Sequence, residues 1–82
     1  MGGETEYFLD ITSEVCPMTF VKTRLLIERM APGETAQIRL SGGEPLENVP
    51  DSVTELGHTV LGIEPDPAAA KDGVHVVRIR KN

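Results

Sequence analysis

The sequence predicts a two-layer α/β (α+β) sandwich in the order βαβαββ, with two helices packed on one face of a mixed four-stranded sheet. Two short stretches alternate apolar and polar residues, two others place apolar residues on one helical stripe, and two β-rich runs close the chain. The 82 residues suffice for one domain, residues 1–82, but not for a large enclosed active-site cavity. Any chemistry is therefore expected at the surface.

The first strand, helix and second strand are predicted from residues 7–41, and residues 1–5 are expected to form a disordered tail. The strands have period-two alternation, with inward positions at Tyr7, Leu9, Ile11, Ala36, Ile38 and Leu40. The helix follows Pro17, and its stripe consists of Phe20, Thr23, Ile27 and Met30. Pro32 and Gly33 are expected to end it, because Pro-Gly favours a turn.

The second helix and the last two strands are predicted from residues 46–81, after a loop over residues 41–45. The second helical stripe contains Leu46, Val49, Val53 and Leu56. Pro50 is assigned to an early helical position, where its missing N–H costs little, and Gly57 to the C-terminal stop. Strands are expected over residues 58–64 and 74–81, separated by a flexible loop. The first two strands should be parallel and the last two an antiparallel hairpin.

Composition and charge exclude several function classes. Eight Lys and Arg against thirteen Asp and Glu give a net charge of −5, which disfavours nucleic-acid binding. A single cysteine permits neither an internal disulfide nor a four-thiolate zinc or iron–sulfur site. No metal or other cofactor is expected. No signal-like or membrane-spanning apolar run is present, and the chain is expected to be a cytoplasmic monomer.

Cys16 is the candidate catalytic residue because it stands where the first strand leads into the first helix. With Cys16 as N-cap and Pro17 as the first helical residue, the helix dipole would favour a thiolate. The N–H groups of Met18 and Thr19 would then donate to its sulfur, so Thr19→Pro is expected to raise the pKa of Cys16. The alternative is that Cys16 is an inert, small apolar residue.

An ordered set of motifs resembles the TusA/SirA family of small sulfur carriers over nearly the whole chain. The matching residues are Leu9-Asp10, Cys16-Pro17, Lys22 and Arg24, Pro32-Gly33-Glu34, Val49-Pro50 and Gly57-His58. The resemblance implies the βαβαββ fold. It also implies a persulfide relay through Cys16, possible sulfurtransferase activity, and protein partners. The donor would be a cysteine desulfurase or a rhodanese-like protein, and a second protein would accept the sulfur.

The chain departs from this family around the cysteine. The second proline of Cys-Pro-x-Pro is Thr19, the glycine usual before the cysteine is Ser13, and a usual leucine is Glu14. These changes leave open a non-catalytic regulatory or protein-interaction module of the same fold. RNA binding ranks third, because the chain is acidic and has few aromatic residues for base stacking.

Other polar residues receive supporting or structural roles. Asp10 is expected to hold the loop ahead of Cys16 through hydrogen bonds to backbone, and Lys22 with Arg24 to steer an acidic partner. His58 and His75 lack metal-like spacing and are assigned no catalytic role. Gly42-Gly43 is interpreted as a plain turn between strand and helix, and the basic residues at positions 78–81 as a protected sheet edge.

Overall fold

A computed structural model describes residues 6–15 and 17–82, and its elements confirm the predicted order βαβαββ. The strands are β1 (Glu6–Asp10), β2 (Thr35–Ser41), β3 (Thr59–Pro65) and β4 (Val74–Arg80). The helices are α1 (Met18–Arg29) and α2 (Glu44–Glu55), and a 3₁₀ turn (Ala70–Asp72) lies between β3 and β4. The predicted tail, residues 1–5, lies outside the described residues.

The sheet is mixed and has the strand order β1-β2-β4-β3. β1 and β2 are parallel, as expected of strands joined by a helix, and β4 is antiparallel to both of its neighbours. Both helices pack on one face, where they form a continuous core with β2 and β4. Its buried side chains are Ile11, Leu26, Ile27, Met30, Ala36, Ile38, Leu40, Val49, Val53, Val77 and Ile79. The alternate positions, including Phe8 and Arg78, leave the other face of the sheet open to solvent.

Two expectations need correction. α2 begins at Glu44, so Pro50 lies in the helix interior and not in an early turn. Val49 and Val53, on either side of it, are almost fully buried; each such burial contributes about 1.5–3 kcal/mol, which offsets the roughly 3 kcal/mol cost of an interior proline. The basic residues at positions 78–81 do not form a sheet edge, because β4 lies between β2 and β3. The connection between β3 and β4 contains a buried residue, Asp66, whose backbone N–H donates to the Val74 carbonyl. Gly57, at φ +93°, follows the C-terminal end of α2 as expected.

Candidate functional site

Residues 11–15, referred to below as the cysteine loop, lead from β1 to Cys16. Cys16 itself lies outside the described residues, so its exposure at the helix N-terminus stays a prediction. Nearby residues are open to solvent: Val15 is 72% exposed, Pro17 is exposed, and Met18 is 40% exposed. Ile11 anchors the other end of the loop in the core, and its N–H donates to the Arg39 carbonyl over 2.8 Å.

The start of α1 differs from the prediction by one residue. Met18 is the first helical residue and Pro17 occupies the N-cap position, with φ −94° and ψ 8°. These angles lie in the bridge region and not in the helical region, which is why Pro17 does not begin the helix. The N–H groups of Met18 and Thr19 donate to the Val15 carbonyl, at 2.7 and 3.3 Å. A backbone oxygen thus accepts from both N–H groups, whereas their predicted bonds to the Cys16 sulfur involve a residue outside the described ones.

Asp10 holds the cysteine loop, as its position at the end of β1 predicts. Its Oδ1 accepts hydrogen bonds from the Thr12 N–H at 2.9 Å and from the Thr12 hydroxyl at 2.7 Å. These bonds, together with the Arg39 guanidinium, lower the pKa of Asp10, the Thr12 N–H being the largest cause. The Thr12 carbonyl in turn accepts from the Ser41 hydroxyl at 2.9 Å. The start of the loop is thus fixed to the ends of both parallel strands.

Arg39 joins Asp10 to a second carboxylate on the open face of the sheet. Its Nη1 lies 3.0 Å from Asp10 Oδ2, and its Nε lies 2.6 Å from Asp66 Oδ2. The Arg39 guanidinium lowers the pKa of Asp66, and the two carboxylates raise the pKa of Arg39. Periodicity does not identify this cluster, since 27 residues separate Arg39 from Asp66.

The two basic residues predicted to bind a partner occupy different surroundings. Lys22 Nζ lies 2.7 Å from Glu14 Oε2, so Lys22 fastens the end of the cysteine loop to α1. Arg24 is more exposed and pairs with Glu28 one turn later, at 3.4 Å. Residues two positions apart on a helix are separated by about 200° around its axis. The structure therefore does not bring the side chains of Lys22 and Arg24 together.

A groove of about 420 Å³ runs between α1 and α2 next to the cysteine position. Pro17 and Phe20 line its α1 side, and Asn48, Asp51, Ser52 and Glu55 line its α2 side. Its α2 side is therefore acidic. Asp51 and Glu55 were not singled out in the sequence, although a spacing of four residues places them on one face of a helix.

Comparison with known proteins decides the family. The model of the sulfurtransferase TusA family matches residues 7–81. The chain belongs to the TusA family. A relative from Archaeoglobus fulgidus, named "Putative sulfur carrier protein", is 41% identical over 61 residues, which cover 74% of this chain and 69% of the relative. One of the same name from Thermotoga maritima is 39% identical over 56 residues, covering 68% and 71% of the two chains.

A solved structure matches the architecture. The crystal structure of a SirA-like protein from Desulfitobacterium hafniense superposes with a TM-score of 0.74, covering 93% of this chain and 96% of that chain at 16% identity. This likeness confirms the two-layer fold with both helices on a mixed four-stranded sheet. None of the helices within residues 6–15 and 17–82 is long and apolar enough to cross a membrane.

One of the departures inferred from the sequence acquires a structural explanation, since Glu14 is the ion-pair partner of Lys22. Thr19 is 2% exposed, and its carbonyl accepts from the Thr23 hydroxyl at 2.8 Å, a bond that a proline carbonyl would also accept. Ser13 is exposed, and no contact in the structure explains the loss of the glycine.

The two histidines make local structural contacts. His58 Nδ1 accepts from the Asn82 N–H at 3.1 Å, and His75 Nδ1 lies 3.0 Å from the Gly73 carbonyl. Across the described part of the chain, no three His, Cys, Asp or Glu side chains gather as metal ligands. Gly42-Gly43 forms the predicted turn into α2, with Gly43 at φ +88°.

Proposed function

We propose that this protein is a sulfur carrier that accepts persulfide sulfur on Cys16 from one protein and passes it to another. The observation that carries the proposal is the construction of the cysteine loop. Asp10 holds one end of it and Lys22 holds the other, immediately before the chain's single cysteine. The match to the sulfurtransferase TusA family supports the same assignment.

The proposed transfer needs only a thiolate and a donor persulfide. The Cys16 thiolate attacks the outer sulfur of the donor's persulfide, and a new S–S bond forms as the donor's S–S bond breaks. The donor cysteine leaves as a thiolate, so there is no net oxidation or reduction. In the second step an acceptor thiolate attacks the outer sulfur on Cys16 and regenerates its thiolate. With one cysteine in the chain, both steps are intermolecular.

The proposed partners are proteins that reach an exposed cysteine. A cysteine desulfurase or a rhodanese-like protein is the donor class, and the acceptor is a second protein with a reactive thiol. Arg24, exposed on α1, is proposed to meet the partner, whereas Lys22 is proposed to hold the cysteine loop through Glu14. The reaction requires a reduced thiol, which fits a cytoplasmic location.

Mass spectrometry after incubation with a cysteine desulfurase and L-cysteine tests the proposal. We expect the intact protein to gain the mass of one sulfur atom, and reducing agent to remove it. Cys16→Ser should gain nothing while keeping its circular dichroism spectrum and Tm. A loaded sample, freed of donor, should then lose its sulfur to an acceptor thiol.

Two outcomes would contradict the proposal. An unchanged mass with both a desulfurase and a rhodanese-like donor would favour the non-catalytic interaction module. Loading that persists in Cys16→Ser would show that the sulfur is held elsewhere.

A further inference from the structure

Two arginines on the open face of the sheet, Arg39 and Arg78, have different attachments. Arg39 on β2 bridges two carboxylates from separate segments, Asp10 at the end of β1 and Asp66 in the β3–β4 connection. Arg78 on β4 makes one longer contact, 3.4 Å to Glu6 near the opposite end of the sheet. Arg39 is also the less exposed of the two, at 27% against 51%.

The contacts of Arg39 lead into the cysteine loop. Its Nη1 holds Asp10 Oδ2, which turns the other carboxylate oxygen, Oδ1, toward Thr12. Thr12 donates two hydrogen bonds to that oxygen and lies four residues before Cys16. Asp66 holds the far side of the guanidinium and accepts from the Ala68 N–H at 2.8 Å. Two loops at the same end of the sheet are thereby tied to a single side chain.

We propose that Arg39 is a positioning residue for sulfur transfer, which fixes the cysteine loop through Asp10 and so keeps Cys16 at the start of α1. The proposal rests on the proposed function, because it assigns Arg39 to the reaction of Cys16. The fold does not depend on this side chain. Ile38 and Leu40, its neighbours on β2, fill the core on the opposite face, and the backbone pairing of β2 needs no side chain.

Alkylation of Cys16 by iodoacetamide, followed as a function of pH, tests the proposal without any sulfur donor. Cys16 is the only thiol, so the midpoint of the alkylation rate against pH reports the pKa of this thiol alone. A loosened loop moves the thiol away from the helix N-terminus, and its pKa rises toward that of an ordinary cysteine. For Arg39→Met we expect the midpoint to rise by about 0.5–1 pH unit, or about three- to tenfold less thiolate at neutral pH. Arg78→Met, the matched control, should leave it unchanged.

Asp10→Ala distinguishes a positioning effect on Cys16 from a direct electrostatic effect on its thiol. Removal of a negative charge would by itself lower the midpoint of a nearby thiol, whereas removal of a loop contact raises it. We expect Asp10→Ala to raise the midpoint as Arg39→Met does. Arg39→Lys, which keeps the charge but not the two-sided contact, should recover part of the wild-type value.

The proposal fails if Arg39→Met has the wild-type midpoint, or if Arg39→Met and Asp10→Ala shift it in opposite directions. Should Arg39→Met not fold, the comparison of Asp10→Ala with Asp10→Asn decides. The asparagine retains an acceptor for Thr12, so equal midpoints for the two variants would overturn the proposal. A wild-type protein that gains no sulfur yet shows these shifts would refute the carrier function and not the role of Arg39.

Discussion

Two junctions lead from a parallel strand into a helix, and they are built in different ways. Between β1 and α1, side chains hold the connection, with Asp10 at its start and Glu14 paired to Lys22 near its end. Between β2 and α2, the connection is Gly42-Gly43, and Gly43 has φ +88° and ψ −140°, a conformation open mainly to glycine. Neither helix has a side-chain hydrogen bond at its N-cap.

This difference supports our proposal that the junction between β1 and α1 does more than connect the two elements. A tight glycine turn connects β2 to α2 and needs no exposed ion pair to do so. The first junction also connects a strand to a helix, yet it uses six charged or hydroxyl side chains outside the core, namely Asp10, Thr12, Glu14, Lys22, Arg39 and Ser41. Surface ion pairs add little stability, typically about 0–1 kcal/mol each, so we attribute these contacts to the placement of Cys16.

The largest effect on stability is expected at the glycine junction. A Cβ on Gly42 would lie 2.9 Å from the backbone oxygen of Gly73, so Gly42→Ala should lower the free energy of unfolding by about 1–3 kcal/mol. The midpoint of Cys16 alkylation should not move. Gly62→Ala is the matched control, because no heavy atom lies within 4 Å of its Cβ position. A shifted midpoint in Gly42→Ala would show that both junctions position the cysteine.

Exchanging the charges of Lys22 and Glu14 tests whether Lys22 holds the cysteine loop or binds a partner protein. Lys22→Glu repels Glu14 and should slow sulfur loading about fivefold, the equivalent of about 1 kcal/mol. Lys22→Glu combined with Glu14→Lys restores an ion pair and should restore most of the rate. Arg24→Glu, which replaces an exposed ion pair with Glu28 at 3.4 Å, should have the smaller effect. A double variant as slow as Lys22→Glu would instead assign Lys22 to partner binding.

Low pH should weaken the ion pairs at the junction between β1 and α1. The pKa values of Asp10 and Asp66 are lowered in the folded protein, and an unfolded aspartate has a pKa of about 3.9. The stability they contribute is therefore complete above about pH 4 and is lost as the pH falls through their lowered folded values. Urea unfolding between pH 6 and pH 2 should show a smaller acid-dependent loss in Arg39→Met than in the wild type. Equal losses would show that the cluster contributes nothing to acid stability.

The smallest effect is expected for Thr19→Pro, which restores the usual family residue. It removes one weak hydrogen bond, from the Thr19 N–H to the Val15 carbonyl at 3.3 Å, in a helical turn where proline is tolerated. The midpoint of Cys16 alkylation should stay within about 0.3 pH unit of the wild type. A shift of one full unit would require a change of about 1.4 kcal/mol in the stability of the thiolate relative to the thiol, more than one weak hydrogen bond supplies. A larger rise would restore the hypothesis that the Thr19 N–H stabilises the thiolate.

Local patterns predicted the fold because each element buries one face. Ala36, Ile38 and Leu40 alternate in sequence and are all fully buried, so the period of two located β2 directly. Pro50 was placed wrongly because a proline rule applies to an isolated helix, whereas the burial of Val49 and Val53 holds α2 together across it.

The site was predictable only where its contacts are local. Asp10 reaches Thr12 two residues away, a spacing that the sequence displays. Arg39 reaches Asp10 and Asp66 from positions 29 and 27 residues distant, and Lys22 reaches Glu14 across the turn at Pro17. Such pairs depend on strand order and loop path, which no periodicity encodes. The acceptor of the Met18 and Thr19 N–H groups likewise required the backbone geometry at Pro17.

The pH dependence of Cys16 alkylation in the wild-type protein tests most directly whether the β1–α1 junction presents a reactive thiolate. The same titration on the protein unfolded in urea supplies the reference pKa of an ordinary cysteine, about 8.5. We predict a midpoint in the folded protein at least about one unit lower, because the helix N-terminus stabilises the thiolate. A folded midpoint equal to or above that of the unfolded chain would contradict the account.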